Sequence, residues 1–191
     1  MKKNFESCMV MLLENEGGYQ DDDRDPGNHG DGYGNPGSTN WGVTAKVYAQ
    51  FSGQPATREI MKALKKEDVY PVYKELYADK IKFDELPSGV DWVVFDFCVN
   101  SGVSRAAKAL QGIVSAKKDG LIGSKTIAAV EQKDPKQIID EMHDLRQDFL
   151  EGLSTFKHYG RGWTTRNAHV KDTALDLSLI HISEPTRQCI I

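Results

Sequence analysis

The chain has 191 residues, which is enough for one compact domain or for two small lobes. Hydrophobic residues make up 39% of it and charged residues 27%, as is usual for a soluble globular protein. No apolar run approaches the roughly 20 residues that a membrane-spanning helix needs, and the net charge of −4 disfavours nucleic acid as a partner. We therefore expect neither nucleic-acid binding nor stable membrane association.

The first predicted element is a helix over residues 3–16, whose apolar residues recur at helical spacing. Its basic start resembles that of a signal peptide, but Glu6 interrupts the apolar stretch and no small-residue cleavage site follows. We expect a cytoplasmic start rather than an export signal. Cys8 and Cys98 fall within apolar helical patterns, and we expect both to be buried, reduced thiols.

The segment from Gly17 to Asn40 is rich in glycine, aspartate, asparagine and proline, and it predicts a long loop. Thr44 and Thr57 are predicted N-caps. Residues 88–100 fit a buried strand by composition, but their length favours a buried helix. The other predicted elements are helices at 44–52, 57–65, 67–77, 104–114, 124–132 and 135–153, followed by a basic segment at 156–171. The chain is therefore predicted to be mainly α-helical.

The last residues, 177–191, resemble an in-frame translation of a sequencing-library adapter rather than natural protein. The resemblance runs through eleven consecutive residues, from Leu177 to Arg187. We exclude this tail, including His181 and Cys189, from functional argument and expect it to be disordered. The alternative is an amphipathic strand or a short apolar anchor.

Two glutamates lie at the end of the first predicted helix, and helical phase separates them. Glu16 follows Leu12 by one turn and lies on the apolar face, whereas Glu14 is rotated by about 200° toward solvent. A carboxyl group at the lip of a cleft is partly desolvated, which raises its pKa and keeps it protonated, as a general acid requires. The alternative is a structural glutamate paired with an arginine, and helical phase alone leaves both open.

A series of short motifs begins at Glu16 and continues along most of the chain. The motifs are Glu16-Gly17-Gly18-Tyr19, Asp25-Pro26-Gly27, Ser38-Thr39-Asn40-Trp41-Gly42-Val43-Thr44, Leu86-Pro87, Val94-Phe95-Asp96-Phe97, Val99-Asn100-Ser101-Gly102, Leu110-Gln111, Asp119-Gly120-Leu121-Ile122-Gly123-Ser124-Lys125-Thr126, and Gly160-Arg161-Gly162-Trp163 with Arg166. In this order they resemble the glycoside hydrolase family 108 muramidases of phages and prophages, over roughly residues 5–175.

The resemblance implies a lysozyme-like α fold with a long Gly/Asp-rich active-site loop, in which Glu16 is the general acid. It also implies a C-terminal half similar to predicted peptidoglycan-binding modules. We accordingly expect a catalytic lobe at 1–86, a helical peptidoglycan-binding-like lobe at 87–176 and the tail at 177–191. Ser124 stands where proline is usual in the family, but serine is a good N-cap, so we still expect a helix there.

A glycosidase usually needs a second polar group beside its acid. Asp25 is the best candidate, because its spacing from Glu16 resembles that of phage-type lysozymes that carry a threonine a few residues later. Thr39 would be that threonine and would hold the attacking water. Residues 28–37 form an insertion relative to the family pattern, and the alternatives that it leaves open to Asp25 are Asp22, Asp23 and Asp31.

Further side chains are candidates for contacts with the glycan. Tyr19, Asn40 and Trp41 belong to the glycine-containing motifs, and the two aromatic rings either stack on sugars or anchor the turn. Asp96 and Asn100 share one face of the apolar helix, where they either line the cleft or are buried and satisfied. The acidic residues of the long loop do not have the spacing of an EF-hand, so we expect a solvated acidic loop and no metal site.

Together these features predict a peptidoglycan hydrolase that needs no cofactor. We expect a monomeric N-acetylmuramidase that cleaves the β-1,4 bond between N-acetylmuramic acid and N-acetylglucosamine and acts as a phage endolysin. It would stay in the host cytoplasm until a holin releases it to the periplasm and cell wall. The alternatives are a lytic transglycosylase on the same bond and a non-catalytic wall-binding or secretion-helper protein.

Overall fold

The computed structural model describes residues 4–14 and 16–182, with side chains up to residue 179. The chain divides into two compact units, Phe5–Leu76 and a second unit from Tyr77 onward. This division comes earlier than the predicted boundary at residue 86. Helices dominate both units, so the prediction of a mainly α-helical chain is confirmed. Within the described ranges, no helix combines the length and the apolar character that a membrane span requires.

The first unit contains most of α1 (Asn4–Glu14), whose buried face follows the predicted phase. Glu14 is exposed, as predicted, but the helix ends there, two residues earlier than expected. Glu16 therefore lies in a half-buried bend past the helix, and the prediction that it is part of the helix is wrong. The two glycines that follow it explain the early end, because glycine loses more conformational freedom in a helix than any other residue. The buried residues of α1 are Cys8, Met9, Leu12 and Leu13.

The rest of the first unit consists of short elements around one hairpin. The strands β1 (Thr39–Asn40) and β2 (Val43–Thr44) pair antiparallel. Thr44 and Thr57 cap the helices that follow them, because their hydroxyl groups accept hydrogen bonds from the first turn, as predicted. The remaining elements are a 3₁₀ turn at Pro26–Asn28, α2 (Ala45–Ser52), α3 (Arg58–Ala63), a 3₁₀ turn at Lys66–Val69 and α4 (Tyr70–Tyr73). A π-helical turn at Lys74–Ala78 begins in this unit and ends in the second.

The second unit is built around α5 (Val90–Ser101). Every residue from Val90 to Cys98 is buried, and α5 packs against three later helices, at Val103–Ile113, Pro135–Glu151 and Phe156–Ile182. This stretch is therefore the buried helix that its length favoured. Gly123 takes the N-cap position of the helix near residue 124, so Ser124 is its first residue and not the predicted cap. The other elements are 3₁₀ turns at Asp79–Ile81 and Phe83–Glu85, α6 (Val103–Ile113), α7 (Ser124–Glu131), α8 (Pro135–Glu151) and α9 (Phe156–Ile182).

The end of α9 includes the first part of the tail that was expected to be disordered. Residues 177–182 are helical, and the hydroxyl group of Ser178 is buried and donates to the main-chain oxygen of Leu175. The remainder of the tail, residues 183–191 with Cys189, lies outside the described residues. The predicted buried thiols are both present, and burial raises the pKa of the Cys98 thiol to about 12.

Candidate active site

The β1–β2 pair is a tight hairpin whose turn consists of Trp41 and Gly42. Their φ angles are +50° and +73°, which are the signs of a type I′ turn. The hydroxyl group of Tyr73 donates to the main-chain oxygen of Trp41 at 3.1 Å, and Asn40 Nδ2 donates to the main-chain oxygen of Met61 at 2.8 Å. These two bonds fix the hairpin. Because Asn40 is buried and used in this way, its position favours a structural role over the predicted contact with substrate.

Glu16 lies against the turn of this hairpin. A Cβ atom added at Gly42 would lie 3.0 Å from Glu16 Oε2 and 2.5 Å from Tyr73 Oη. The carboxyl group and the tyrosine hydroxyl group therefore occupy the space that any larger residue would need, so this position requires glycine for both its φ angle and its size. Sequence reasoning missed Tyr73, because a tyrosine in a helical pattern gives no signal beyond burial.

A chain of hydrogen bonds joins the two other predicted catalytic residues, Thr39 and Asp25. Thr39 Oγ1 donates to Asn28 Oδ1 at 2.8 Å. Asn28 Nδ2 then donates to Gln20 Oε1 at 2.7 Å, and Gln20 Nε2 donates to Asp25 Oδ2 at 2.7 Å. Every donor points in the same direction along this Thr39–Asp25 network. Because a threonine hydroxyl group has one proton, Thr39 Oγ1 can then act only as an acceptor toward other groups.

The insertion at residues 28–37 does not separate these residues. Its two ends meet, since a Cβ atom at Gly37 would lie 2.3 Å from the main-chain oxygen of Asn28. Directly after the insertion, Thr39 and Gln20 exchange main-chain hydrogen bonds of 2.8 and 2.9 Å. The insertion therefore closes on itself as a loop, and it leaves Thr39 on the same network as Asp25.

The carboxylate of Asp31 is the hydrogen-bond acceptor around which the insertion loop folds. Its carboxylate accepts hydrogen bonds from the main-chain N–H groups of Tyr33, Asn35 and Ala56 and from the Asn35 side chain, at 2.8–3.1 Å. Asp31 is 1% exposed, so the expectation of a solvated acidic loop is wrong at this residue. Burial works to raise the pKa of Asp31, but the four hydrogen bonds outweigh it and lower the pKa to about 2.

The aspartates that competed for the second catalytic position have different partners. Asp22 pairs with Arg24 at 2.7 Å, Asp23 pairs with Arg58 at 2.6 Å, and Asp31 is buried. Asp25 is exposed and, in the described part of the chain, is held by neutral donors: the Gln20 side chain and the main-chain N–H of Gly27. Its carboxylate keeps acceptor positions for a water molecule.

The aromatic candidates Tyr19 and Trp41 are both partly exposed. Trp41 Nε1 donates to the main-chain oxygen of Leu64 at 2.9 Å, and Lys66 Nζ lies 5.2 Å from the centre of its ring. Lys62 Nζ lies 5.8 Å from the ring of Tyr19. Both rings are thus held in place beside a lysine, and their contact with sugars stays a prediction.

The two polar candidates on α5, Asp96 and Asn100, bond to each other or to arginines of the second unit. Asp96 is 1% exposed, and its two oxygens accept hydrogen bonds from Arg146 at 2.6 Å and Arg166 at 2.8 Å. Asn100 is exposed, and its amide donates to the main-chain oxygen of Asp96 at 2.7 Å. The burial of Asp96 in two ion pairs favours a structural role over the predicted contact with substrate.

Comparisons with known proteins identify the family of this chain. The model of the glycosyl hydrolase 108 family matches residues 9–102, a range that contains Glu16, Asp25 and Thr39. The solved structure of Brucella abortus SagA is similar with a TM-score of 0.78 and 39% sequence identity, over 93% of this chain and 97% of that one. The chain belongs to glycosyl hydrolase family 108. No curated protein matches it.

Membership of family 108 makes the chain a glycoside hydrolase whose substrate is peptidoglycan. It also confirms the predicted lysozyme-like α fold. The matched range contains both parts of the candidate site, namely Glu16 against the hairpin turn and the Thr39–Asp25 network.

Replacing Gly42 by alanine should lower the rate of peptidoglycan hydrolysis about 100-fold. The added methyl group should displace Glu16, the predicted general acid, and a shift of about 1 Å in a catalytic group has an effect of this size. Gly53→Ala is the matched control, since Gly53 also has a positive φ of +70° but no atom within 4 Å of its added Cβ. Both variants carry the same backbone strain, roughly 1–2 kcal/mol. Thermal unfolding of both variants is measured as a check on stability. Equal rates of hydrolysis by the two variants would show that the close approach of Gly42 to Glu16 does not affect activity.

Replacing Asp31 by asparagine should destabilise the protein at pH 7 but not at pH 2. The folded-state pKa of about 2 lies below the ordinary value of 3.8. The ionised group therefore stabilises the fold above about pH 4, and this contribution is lost as the pH falls toward 2. Urea unfolding of both proteins across this range measures the difference. Asp23→Asn, with a side chain that is 82% exposed, should have little effect throughout. A difference in unfolding free energy between wild type and Asp31→Asn that does not vary with pH would contradict a low pKa of Asp31.

Proposed function

We propose that the chain is an N-acetylmuramidase that hydrolyses the β-1,4 bond between N-acetylmuramic acid and N-acetylglucosamine, with Glu16 as its general acid. We further propose that it serves as a monomeric endolysin, held in the host cytoplasm until a holin releases it to the wall. The observation that carries the enzymatic proposal is the two-part site: a half-buried carboxyl group at the hairpin turn and a separate acceptor pair, Asp25 and Thr39. The endolysin role rests on the resemblance of the motifs to phage and prophage enzymes.

Glu16 has the surroundings that proton donation to a glycosidic oxygen needs. It is half-buried, and its carboxyl group lies against the hairpin turn at Gly42, close to which the Tyr73 hydroxyl group also lies. In the reaction, the proton of Glu16 passes to the oxygen between the two sugars as the bond from that oxygen to the anomeric carbon breaks. Glu16 ends the step as a carboxylate.

Asp25 and Thr39 are suited to hold the water that replaces the leaving sugar. The hydroxyl proton of Thr39 is engaged in its hydrogen bond to Asn28 Oδ1, and a carboxylate at Asp25 has no proton, so both residues present only acceptors. A water molecule between them must direct both of its protons toward the protein and its lone pair toward the sugar. Asp25 then accepts one proton as the water oxygen bonds to the anomeric carbon.

Replacing Glu16 by glutamine should lower the clearing rate of a peptidoglycan suspension roughly 10²- to 10⁴-fold, since glutamine keeps the shape of the side chain but cannot donate the proton. Glu14→Gln provides the matched control, because Glu14 is exposed at the end of α1. We expect that variant to clear at the wild-type rate. Clearing by Glu16→Gln as fast as by the control would overturn the proposed function.

Replacing Thr39 by valine should lower kcat roughly 100-fold, as expected for loss of a group that positions the attacking water. Thr39→Ser should retain most of the activity because it keeps the hydroxyl group. Thr44→Val makes the same change at the residue that pairs with Thr39 in the hairpin, and it removes the cap of α2. It should cost about 1 kcal/mol of stability without lowering kcat. If the two valine variants were equally active, Thr39 would have no part in catalysis.

A further inference from the structure

Gly27 brings the main chain close to both acceptors that are proposed to hold the attacking water. A Cβ atom added at Gly27 would lie 3.2 Å from Asp25 Oδ1 and 3.8 Å from Thr39 Oγ1. The main-chain N–H of Gly27 also donates to Asp25 Oδ1 at 2.8 Å. The two oxygens therefore border one small space, into which any residue other than glycine would place its side chain.

The backbone conformation at position 27 does not require glycine. Gly27 is the middle residue of the 3₁₀ turn at Pro26–Asn28, and its φ angle lies outside the left-handed region. An alanine can adopt such a conformation without strain. Its methyl group would lie 3.2 Å from its nearest neighbours, a tight contact that small shifts relieve. What glycine contributes at this position is therefore room beside the two acceptors.

The main chain of Asp22 fixes the orientation of the two amides that link these acceptors. Its N–H group can only donate and meets the Gln20 side chain at 3.1 Å, so the atom that it meets must be Oε1. Its carbonyl oxygen can only accept and meets the Asn28 side chain at 3.0 Å, so that atom must be Nδ2. Gln20 therefore presents Nε2 to Asp25. Asn28 presents Oδ1 to Thr39, which must donate to it.

The Thr39–Asp25 network has a buried middle and accessible ends. Asn28 is 3% exposed, whereas Asp25 is exposed and Thr39 is half-buried. Gln20 is bonded to both ends. Its side chain donates to Asp25, and its main chain exchanges hydrogen bonds with Thr39. A change in the Gln20 side chain should therefore move Asp25 relative to Thr39.

We infer that the attacking water occupies the space beside Gly27, where a Cβ atom would lie, and that Gln20 and Asn28 are positioning residues for its two acceptors. The inference rests on the proposed function, because it concerns the water that hydrolysis consumes. In that step the water oxygen bonds to the anomeric carbon and one water proton passes to Asp25. The oxygen of the leaving sugar takes the proton of Glu16.

Gly27→Ala tests the placement of the water. Its methyl group should exclude water from the space, so we expect kcat on solubilised peptidoglycan to fall roughly 100-fold, as for loss of general-base catalysis, with KM unchanged. Gly152→Ala is the matched control, since Gly152 has a φ of −70° and its added Cβ lies 3.5 Å from main-chain oxygens. We expect wild-type kcat from this control. Wild-type kcat in Gly27→Ala, or an equal fall in both variants, would overturn the placement.

Gln20→Glu tests the positioning role and leaves Gly27 unchanged. The new side chain has the same size but turns an oxygen toward Asp25 Oδ2, which lies 2.7 Å from Gln20 Nε2 in the wild type. Repulsion should displace the Asp25 carboxylate, so we expect kcat to fall roughly 10- to 100-fold with little change in KM. Gln54→Glu makes the same change at an exposed residue of the same unit and should keep the wild-type kcat. Equal kcat values for the two variants would overturn the positioning role.

A double-mutant cycle shows whether Gln20 acts through Asp25. In the Asp25→Asn background the catalytic acceptor is already lost, so Gln20→Glu should lower kcat little further. The effects of two residues that act as one unit do not multiply. If Gln20→Glu lowered kcat by the same factor in both backgrounds, Gln20 would act by another route and the positioning role would be overturned.

The outcomes separate this inference from the proposed function. Clearing of peptidoglycan by Glu16→Gln at the wild-type rate would refute the proposed function and, with it, the water site. If Glu16→Gln were inactive while Gly27→Ala and Gln20→Glu kept the wild-type kcat, only the water site would be refuted. Thermal unfolding of each variant is measured in parallel, and we expect the wild-type transition temperature to within a few degrees.

Discussion

The close approach of the Glu16 carboxyl group to Gly42 is the constraint on which the rest of the candidate site depends. No side chain fits between them, and the turn needs positive φ angles at both of its residues. The hairpin that receives Glu16 at its turn also presents Thr39 at the start of its first strand. Since Thr39 pairs with Gln20, which follows the Glu16 bend, one short hairpin sets the position of both halves of the site.

The insertion shows why a site of this kind tolerates extra residues. A loop can grow at little cost when its ends keep their places, because the entropy of closing a loop rises slowly with its length. Here the ends meet at Asn28 and Gly37, and Asp31 supplies the internal hydrogen bonds that a longer loop needs. The added residues are thus organised around the Asp31 carboxylate rather than around the proposed catalytic groups.

Sequence patterns predicted the helices of this protein better than the partners of its polar residues. Helical phase correctly separated exposed Glu14 from the buried face of α1, and the ordered motifs pointed to Glu16. Neither indicated Tyr73, whose hydroxyl group reaches a main-chain oxygen 32 positions away. Likewise, a polar pair on one face of α5 could line a cleft or be buried, because its arginine partners lie 50 and 70 positions further along the chain. Long-range contacts of this kind have no local signal.

The proposed attack by a water molecule held between Asp25 and Thr39 would leave a chemical trace in the products. Peptidoglycan is digested with the enzyme in water enriched in ¹⁸O, and the muropeptides are identified by mass spectrometry. We expect every new end to be a reducing N-acetylmuramic acid that carries one ¹⁸O atom from the solvent. Ends closed as 1,6-anhydro sugars, which form without water and carry no label, would contradict hydrolysis at this site.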